Sequence, residues 1–173
     1  MNPALLKKIK SNNISKGGVN IRKTIIKIIS TFFYIGYLPF IPGTFGSIAG
    51  VFLYYLLKDS ISIYTIFSCI LIILGFLVSG PAERMLNKKD ARCITIDEIC
   101  GMLLSLIFLP YDIKIVVLAF ILFRILDALK PFPLDRLQRL KGGPGIMADD
   151  LVAGLYTNII LQIVLKLVSF KAS

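Results

Sequence analysis

The sequence predicts an all-α fold, a polytopic membrane helical bundle of about five spanning or embedded helices with an interfacial N-terminal helix. Three observations carry this. Hydrophobic residues make up 56% of the 173-residue chain and its mean hydropathy is +0.80, above the apolar share of ordinary soluble domains. Several apolar runs approach or exceed the length that crosses a hydrocarbon core of about 30 Å. Lys and Arg also alternate between dense and sparse loops, as topology signals do.

Residues 1–27 read as a basic extension carrying Lys7, Lys8, Lys10, Lys16, Arg22, Lys23 and Lys27, ahead of a membrane domain over 28–173. The stretch Ile25 to Ile41, rich in Phe and Tyr and ending in Pro39 and Pro42, reads as an interfacial helix rather than a span. No small-residue cleavage site follows it, so a cleaved signal peptide is not expected. Phe45 to Leu57 is a short apolar helix. Ile61 to Val78, 18 residues without a charge, is the clearest span. Ile99 to Leu109 is again short, and such runs start in the headgroup zone or cross only where partner helices shield them. Ile113 to Leu129 is interrupted by Lys114, Arg124 and Asp127, and Leu151 to Val168 only by Lys166. The β-branched runs are too long and too uniformly apolar for strand alternation.

Counted through residues 1–27, 58–60, 79–98, 110–114, 130–150 and the tail after 165, the bases number seven, one, four, one, four and two. Five spans with a cytoplasmic N-terminus produce that alternation and place the loops 79–98 and 130–150 in the cytoplasm. The net charge of +10 is therefore read as membrane topology, with membrane lipids rather than nucleic acid as the expected surroundings. Cys69, Cys93 and Cys100 are odd in number and lack metal-ligand spacing, which makes them structural.

The acids are few and placed unevenly. Asp97 and Glu98 precede the helix expected from Ile99, and Asp149 and Asp150 the one expected from Leu151. Asp127 lies three residues after Arg124 and three before Lys130, so all three share roughly one helical face. By the topology above, these five carboxylates gather at the cytoplasmic surface. Each pair alone is explained by helix capping or by a self-neutralising ion pair, but ionisable groups inside apolar helices are costly and mark function. Clustered carboxylates without His or Cys suit Mg2+, which keeps waters and completes its shell with substrate phosphate. Arg124 and Lys130 beside such an ion add positive charge for a phosphoryl group. Gly142, Gly143 and Gly145, and the stretch "PGTFGS" with the hydroxyls of Thr44 and Ser47, offer backbone and side-chain donors for the same phosphate.

Absences narrow the chemistry further. The chain has no histidine, which removes phosphohistidine intermediates, His bases and His-ligated metals. No D-x-D nucleophile pair, cysteine-phosphatase loop or NTPase phosphate loop occurs. A covalent enzyme intermediate is thus unsupported, and direct attack by a metal-activated water is the economical route.

Four segments together, "PGTFGS" (42–47), "IDEICG" (96–101), "FRILDALKPFP" (123–133) and "GGPGIMADDLVAG" (142–154), resemble the phosphatidylglycerophosphatase A family, membrane phosphatases of bacterial phospholipid synthesis. The similarity runs from about Phe32 to Ile163 and leaves the basic N-terminus outside. The resemblance implies Mg2+-dependent hydrolysis of phosphatidylglycerophosphate to phosphatidylglycerol and inorganic phosphate, in the bacterial inner membrane with the site facing the cytoplasm. It implies Glu98, Asp127, Asp149 and Asp150 as metal ligands that position and deprotonate the water, with Asp97 as alternative base or outer ligand. Arg124 and Lys130 would neutralise the phosphoryl oxygens, helped by Thr44, Ser47 and the glycines 142, 143 and 145. A related phosphatase acting on phosphatidic acid has the same site chemistry. A small transporter using Arg124 and Asp127 predicts acids at mid-membrane and similar halves, and a non-catalytic adaptor leaves the paired acids without a purpose.

Overall fold

The computed structural model describes residues 21–88 and 91–172; most of the basic extension lies outside them. The order is helix α1 (residues 21–30), a 3-10 turn at Ile35–Tyr37, α2 (Pro42–Leu57), α3 (Ile61–Leu86), α4 (Ile96–Leu106), α5 (Ile113–Leu129), the single turn α6 (Leu134–Leu137) and α7 (Gly143–Ala172). Among the described residues there is no strand.

The N-terminal stretch is not one helix through Ile41. Thr31 ends it, because its hydroxyl donates back to the Lys27 carbonyl and accepts from the Tyr34 amide, which offers the backbone an alternative to the next helical turn. Phe32, Phe33 and Tyr34 then take left-handed φ values of 42°, 52° and 68°. The Thr95 amide donates to the Ser30 carbonyl at 2.9 Å, which ties α1 to the start of α4.

Helix α4 is the axis of the bundle. Ile96, Ile99, Cys100, Met102 and Leu103 have no exposed surface, because α2, α3, α5 and α7 all pack on it. At 11 residues it is about 16 Å long, too short to cross a bilayer alone. Its last carbonyls are met from α7, where the Asn158 side chain donates to Ser105 O at 3.1 Å and Ile107 O at 2.7 Å, and the Tyr64 hydroxyl of α3 donates to Leu103 O. Polar groups that end a helix inside an apolar bundle are thereby satisfied.

Two helices, α3 and α7, are long and apolar enough to cross a membrane. Their outer faces are apolar and exposed, with Ile63, Ile66, Ile70, Ile73 and Leu77 on α3 and Leu155, Ile159, Ile163 and Leu167 on α7, and α5 continues the belt with Val117, Ile121 and Ile125. An apolar surface of that extent marks contact with a membrane or with another protein. Helix α3 runs through Pro81 to Leu86, eight residues past the expected end at Val78. Helices α4 and α7 also begin earlier than expected, at Ile96 and Gly143. Asp97 and Glu98 therefore lie within the first turn of α4, and Asp149 and Asp150 two turns inside α7, where they cannot cap it.

Close approach of α4 and α7 depends on glycine. A Cβ on Gly154 would overlap the Gly101 carbonyl, and a Cβ on Gly101 would sit 2.7 Å from Asp150 O and 2.7 Å from a Phe123 ring carbon. The two backbones touch, and this brings the first turn of α4 beside the acidic turn of α7.

Candidate active site

The start of α2, the loop before α4, the first turn of α4, the end of α5 and the second turn of α7 enclose one cavity of about 390 Å³. Asp97, Glu98, Asp127, Asp149 and Asp150 all line it, with Arg124, Lys130 and Thr44. Asp97, Asp149 and Asp150 are buried.

The carboxylates divide into two groups. One oxygen each from Asp97, Glu98 and Asp150 lies within 4.8 Å of the others. Asp127 and Asp149 instead hold cations: Arg124 Nη1 meets Asp127 Oδ2 at 2.8 Å, and Lys130 Nζ meets Asp149 Oδ2 at 2.6 Å and Asp127 Oδ1 at 4.0 Å. The trio that converges thus differs from the set expected from sequence: Asp97 is included, and Asp127 and Asp149 stand beside it in the same cavity, each holding a cation. Lys130 is the left-handed cap of α5, φ 44°, an uncommon conformation for a non-glycine residue; the turn brings its ammonium to α7. Burial lowers the Lys130 pKa, but the Asp149 hydrogen bond and charge, with Asp150 and Asp127 beyond, outweigh it and leave it raised.

The trio suits a divalent cation. Its donors are hard oxygens, and Glu98 Oε2 is buried with no hydrogen-bond partner among protein atoms, which is costly unless another partner is provided. Oxygens so near one another need only small side-chain adjustments to share an ion at about 2.1 Å, the Mg2+ distance. Loss of surrounding water is the main reason that the Glu98 pKa is pushed up to about 8; hydrogen bonding with Asp97 works against this, and the charges of Asp150 and Asp127 add to it.

That shift predicts a pH dependence. The folded-state value, about 8, lies above the ordinary 4.5, so without a cation the stabilising effect of keeping Glu98 protonated is complete at acidic pH and lost as pH rises through about 8. The melting temperature of cation-free protein is expected to fall between about pH 4.5 and 8, with the stabilisation by added Mg2+ growing over the same range. Thermal melts with EDTA and with Mg2+ across that range test this; a flat difference would contradict it.

Gly43 explains how α2 serves the site. A Cβ there would overlap the Glu98 carboxylate and lie 3.4 Å from Arg124 Nη1. The obstacle is the end of a flexible side chain, so Gly43→Ala is expected to fold normally yet lose about tenfold or more in kcat, as small misplacements in a site do. Melting curves beside phosphate-release rates check this.

The structure does not bring every expected donor to the cavity. Ser47 is buried within α2 and its hydroxyl donates to the Gly43 carbonyl at 3.1 Å. Gly142, Gly143 and Gly145 are not among the lining residues. Gly143 abuts Phe76 and Gly80 of α3, and Gly145 abuts the Leu140 carbonyl, so these glycines serve close packing. Arg92 lines the cavity instead; it sits in a loop without periodicity, and its only sequence signal is nearness to "IDEICG".

The family description Phosphatidylglycerophosphatase A matches residues 28–165. The chain belongs to the phosphatidylglycerophosphatase A family. It is thereby placed among phosphatases, phosphoric monoester hydrolases. A family member from Escherichia coli, a phosphatidylglycerophosphatase A, is 34% identical over 79% of this chain and 81% of its own length. The phosphatidylglycerophosphatase A of Haemophilus influenzae is 32% identical over 79% of this chain and 86% of its own. A Bacteroides thetaiotaomicron protein, provisionally named a phosphatidylinositol-3-phosphatase, is 32% identical over 79% of this chain and 91% of its own. No solved structure matches the chain.

Proposed function

We propose that this chain hydrolyses the terminal phosphomonoester of phosphatidylglycerophosphate, releasing phosphatidylglycerol and inorganic phosphate in phospholipid biosynthesis. In this reading it is embedded in the bacterial inner membrane, faces the cytoplasm with its site, and depends on Mg2+ held by Asp97, Glu98 and Asp150. The observation that carries the reading is the focus of three carboxylates beside Arg124 and Lys130 in one cavity of a chain that belongs to a phosphatase family. Phe40, Ile41 and Pro42 form part of the cavity lining, an apolar stretch suited to a lipid substrate.

When bound, the cation supplies Lewis acidity to a phosphoryl oxygen and acidifies water. Arg124 and Lys130 counter the charge of the remaining phosphoryl oxygens, in orientations fixed by Asp127 and Asp149. The Thr44 hydroxyl donates to the same phosphate. Carboxylates are the only bases among the lining residues, so one of them accepts the water proton as the water oxygen bonds to phosphorus. The phosphorus–ester oxygen bond breaks, and the departing glycerol oxygen takes a proton from solvent.

The similarity to the Bacteroides protein favours one second reading, another phosphorylated lipid as substrate with the same site chemistry. Phosphate release by purified protein in detergent, with Mg2+ and with EDTA, tests both readings when phosphatidylglycerophosphate competes with phosphatidylinositol 3-phosphate and phosphatidic acid. Release that requires Mg2+ and is fastest from phosphatidylglycerophosphate is expected. Preference for a competitor would replace the substrate, and no release with any divalent metal would overturn the phosphatase mechanism.

A further inference from the structure

A second concavity, of about 540 Å³, opens where α3 ends and α7 begins. It shares no lining residue with the catalytic cavity. Arg84, Lys88, Arg139 and Lys141 surround it, against the single carboxylate of Glu83. Arg139 makes an exposed contact to Asp135 at 3.4 Å, a geometry worth little in water. Among the described residues, Arg84, Lys88 and Lys141 enter no ion pair. The left-handed turns at Asn87 and Gly142, φ 49° and 71°, lie beside these cations. Gly80 and Gly143 touch through their backbones just below, so the two chain segments that carry the charges are held together.

The surroundings of Arg84 give this pocket a direction. Leu77, Ile73 and Ile70 precede Arg84 by 7, 11 and 14 residues, spacings that return to the same helix face. All three are exposed, at 64%, 59% and 53%. A cationic pocket therefore stands at the head of an exposed apolar stripe, on one of the two helices long enough to cross a membrane. A negative headgroup joined to an acyl chain has this shape and this order of polarity.

We propose that the pocket binds the headgroup phosphate of an anionic phospholipid from the surrounding membrane, with an acyl chain along Ile70, Ile73 and Leu77. The bound lipid is distinct from the molecule being hydrolysed and occupies a site beside the catalytic cavity. The proposal rests on the membrane placement and is independent of the substrate, so failure of the phosphatase assay leaves it standing.

The test is electron spin resonance of the full chain reconstituted in phosphatidylcholine vesicles with trace spin-labelled phosphatidylglycerol or spin-labelled phosphatidylcholine. Wild type is expected to immobilise labelled phosphatidylglycerol preferentially. Lys88→Gln/Lys141→Gln is expected to lower that preference by roughly fivefold per cation removed, and Arg84→Gln alone to act in the same direction. Lys58→Gln/Lys114→Gln removes the same charge from the opposite end of the bundle and is expected to change nothing. Added inorganic phosphate is expected not to release the lipid. No preference in wild type, or equal losses in both double variants, would overturn the proposal; so would displacement by inorganic phosphate, which would make the pocket a free-anion site.

Discussion

Asp150→Asn is expected to lower kcat for phosphate release by about a thousandfold, since a metal's charge stabilisation amounts to several kcal/mol and each 1.36 kcal/mol is tenfold. Asp150 belongs to the converging trio and is buried, so water cannot replace its carboxylate as it could at the surface. The fold is expected to tolerate the change. Asn has nearly the same shape and never ionises, so the variant no longer carries the cost of a buried carboxylate crowded by four other acids, and it should melt at or above the wild-type temperature when no cation is present. Asp135, partly exposed and paired with Arg139 on the surface, supplies the control: Asp135→Asn is expected to leave both rate and melting temperature unchanged. A catalytically competent Asp150→Asn protein would separate the trio from the chemistry.

Gly101→Val is expected to have the largest effect on the fold. Its added carbons would meet the Asp150 carbonyl and the Phe123 ring, where even a single Cβ lies 2.7 Å from each. Neither obstacle is free to turn aside, because Phe123 has no exposed surface and the carbonyl belongs to α7. Overpacking of this kind costs about 3 kcal/mol, and α4 and α7 must separate to relieve it. Activity is expected to fall together with melting temperature, unlike Gly43→Ala, where only activity falls. A Gly101→Val protein with wild-type melting behaviour would contradict the packing described for α4 and α7.

What the sequence makes legible here is mostly local. The apolar runs locate α2, α3, α4, α5 and α7 because each run is bounded by charge or proline. Asp127, Arg124 and Lys130 can be placed on one face from helical spacing alone, and the structure has them in contact. The approach of Asp97 and Glu98 to Asp150 is a property of the crossing of α4 and α7, set by Gly101 and Gly154, and no spacing within one helix encodes it. Helix starts are misjudged for a related reason. Gly142 and Gly143 read as a loop, yet Gly143 and Pro144 open α7, because proline is tolerated in a first helical turn and the missing side chain lets α7 abut α3. Ser47 resembles a cap by type, but α2 already begins at Pro42, and a serine inside a helix turns its hydroxyl back to the preceding turn.

Asp97, Glu98 and Asp150 are expected to hold a divalent cation together, and electron paramagnetic resonance of Mn2+ binding to the purified protein reads this directly, with Mg2+ as competitor, for wild type, Asp97→Asn and Asp150→Asn. A saturable Mn2+ site is expected in wild type, displaced by Mg2+ and lost in both variants while their helix content stays unchanged. Mn2+ binding equally tight in all three proteins, or no saturable binding in wild type, would contradict it.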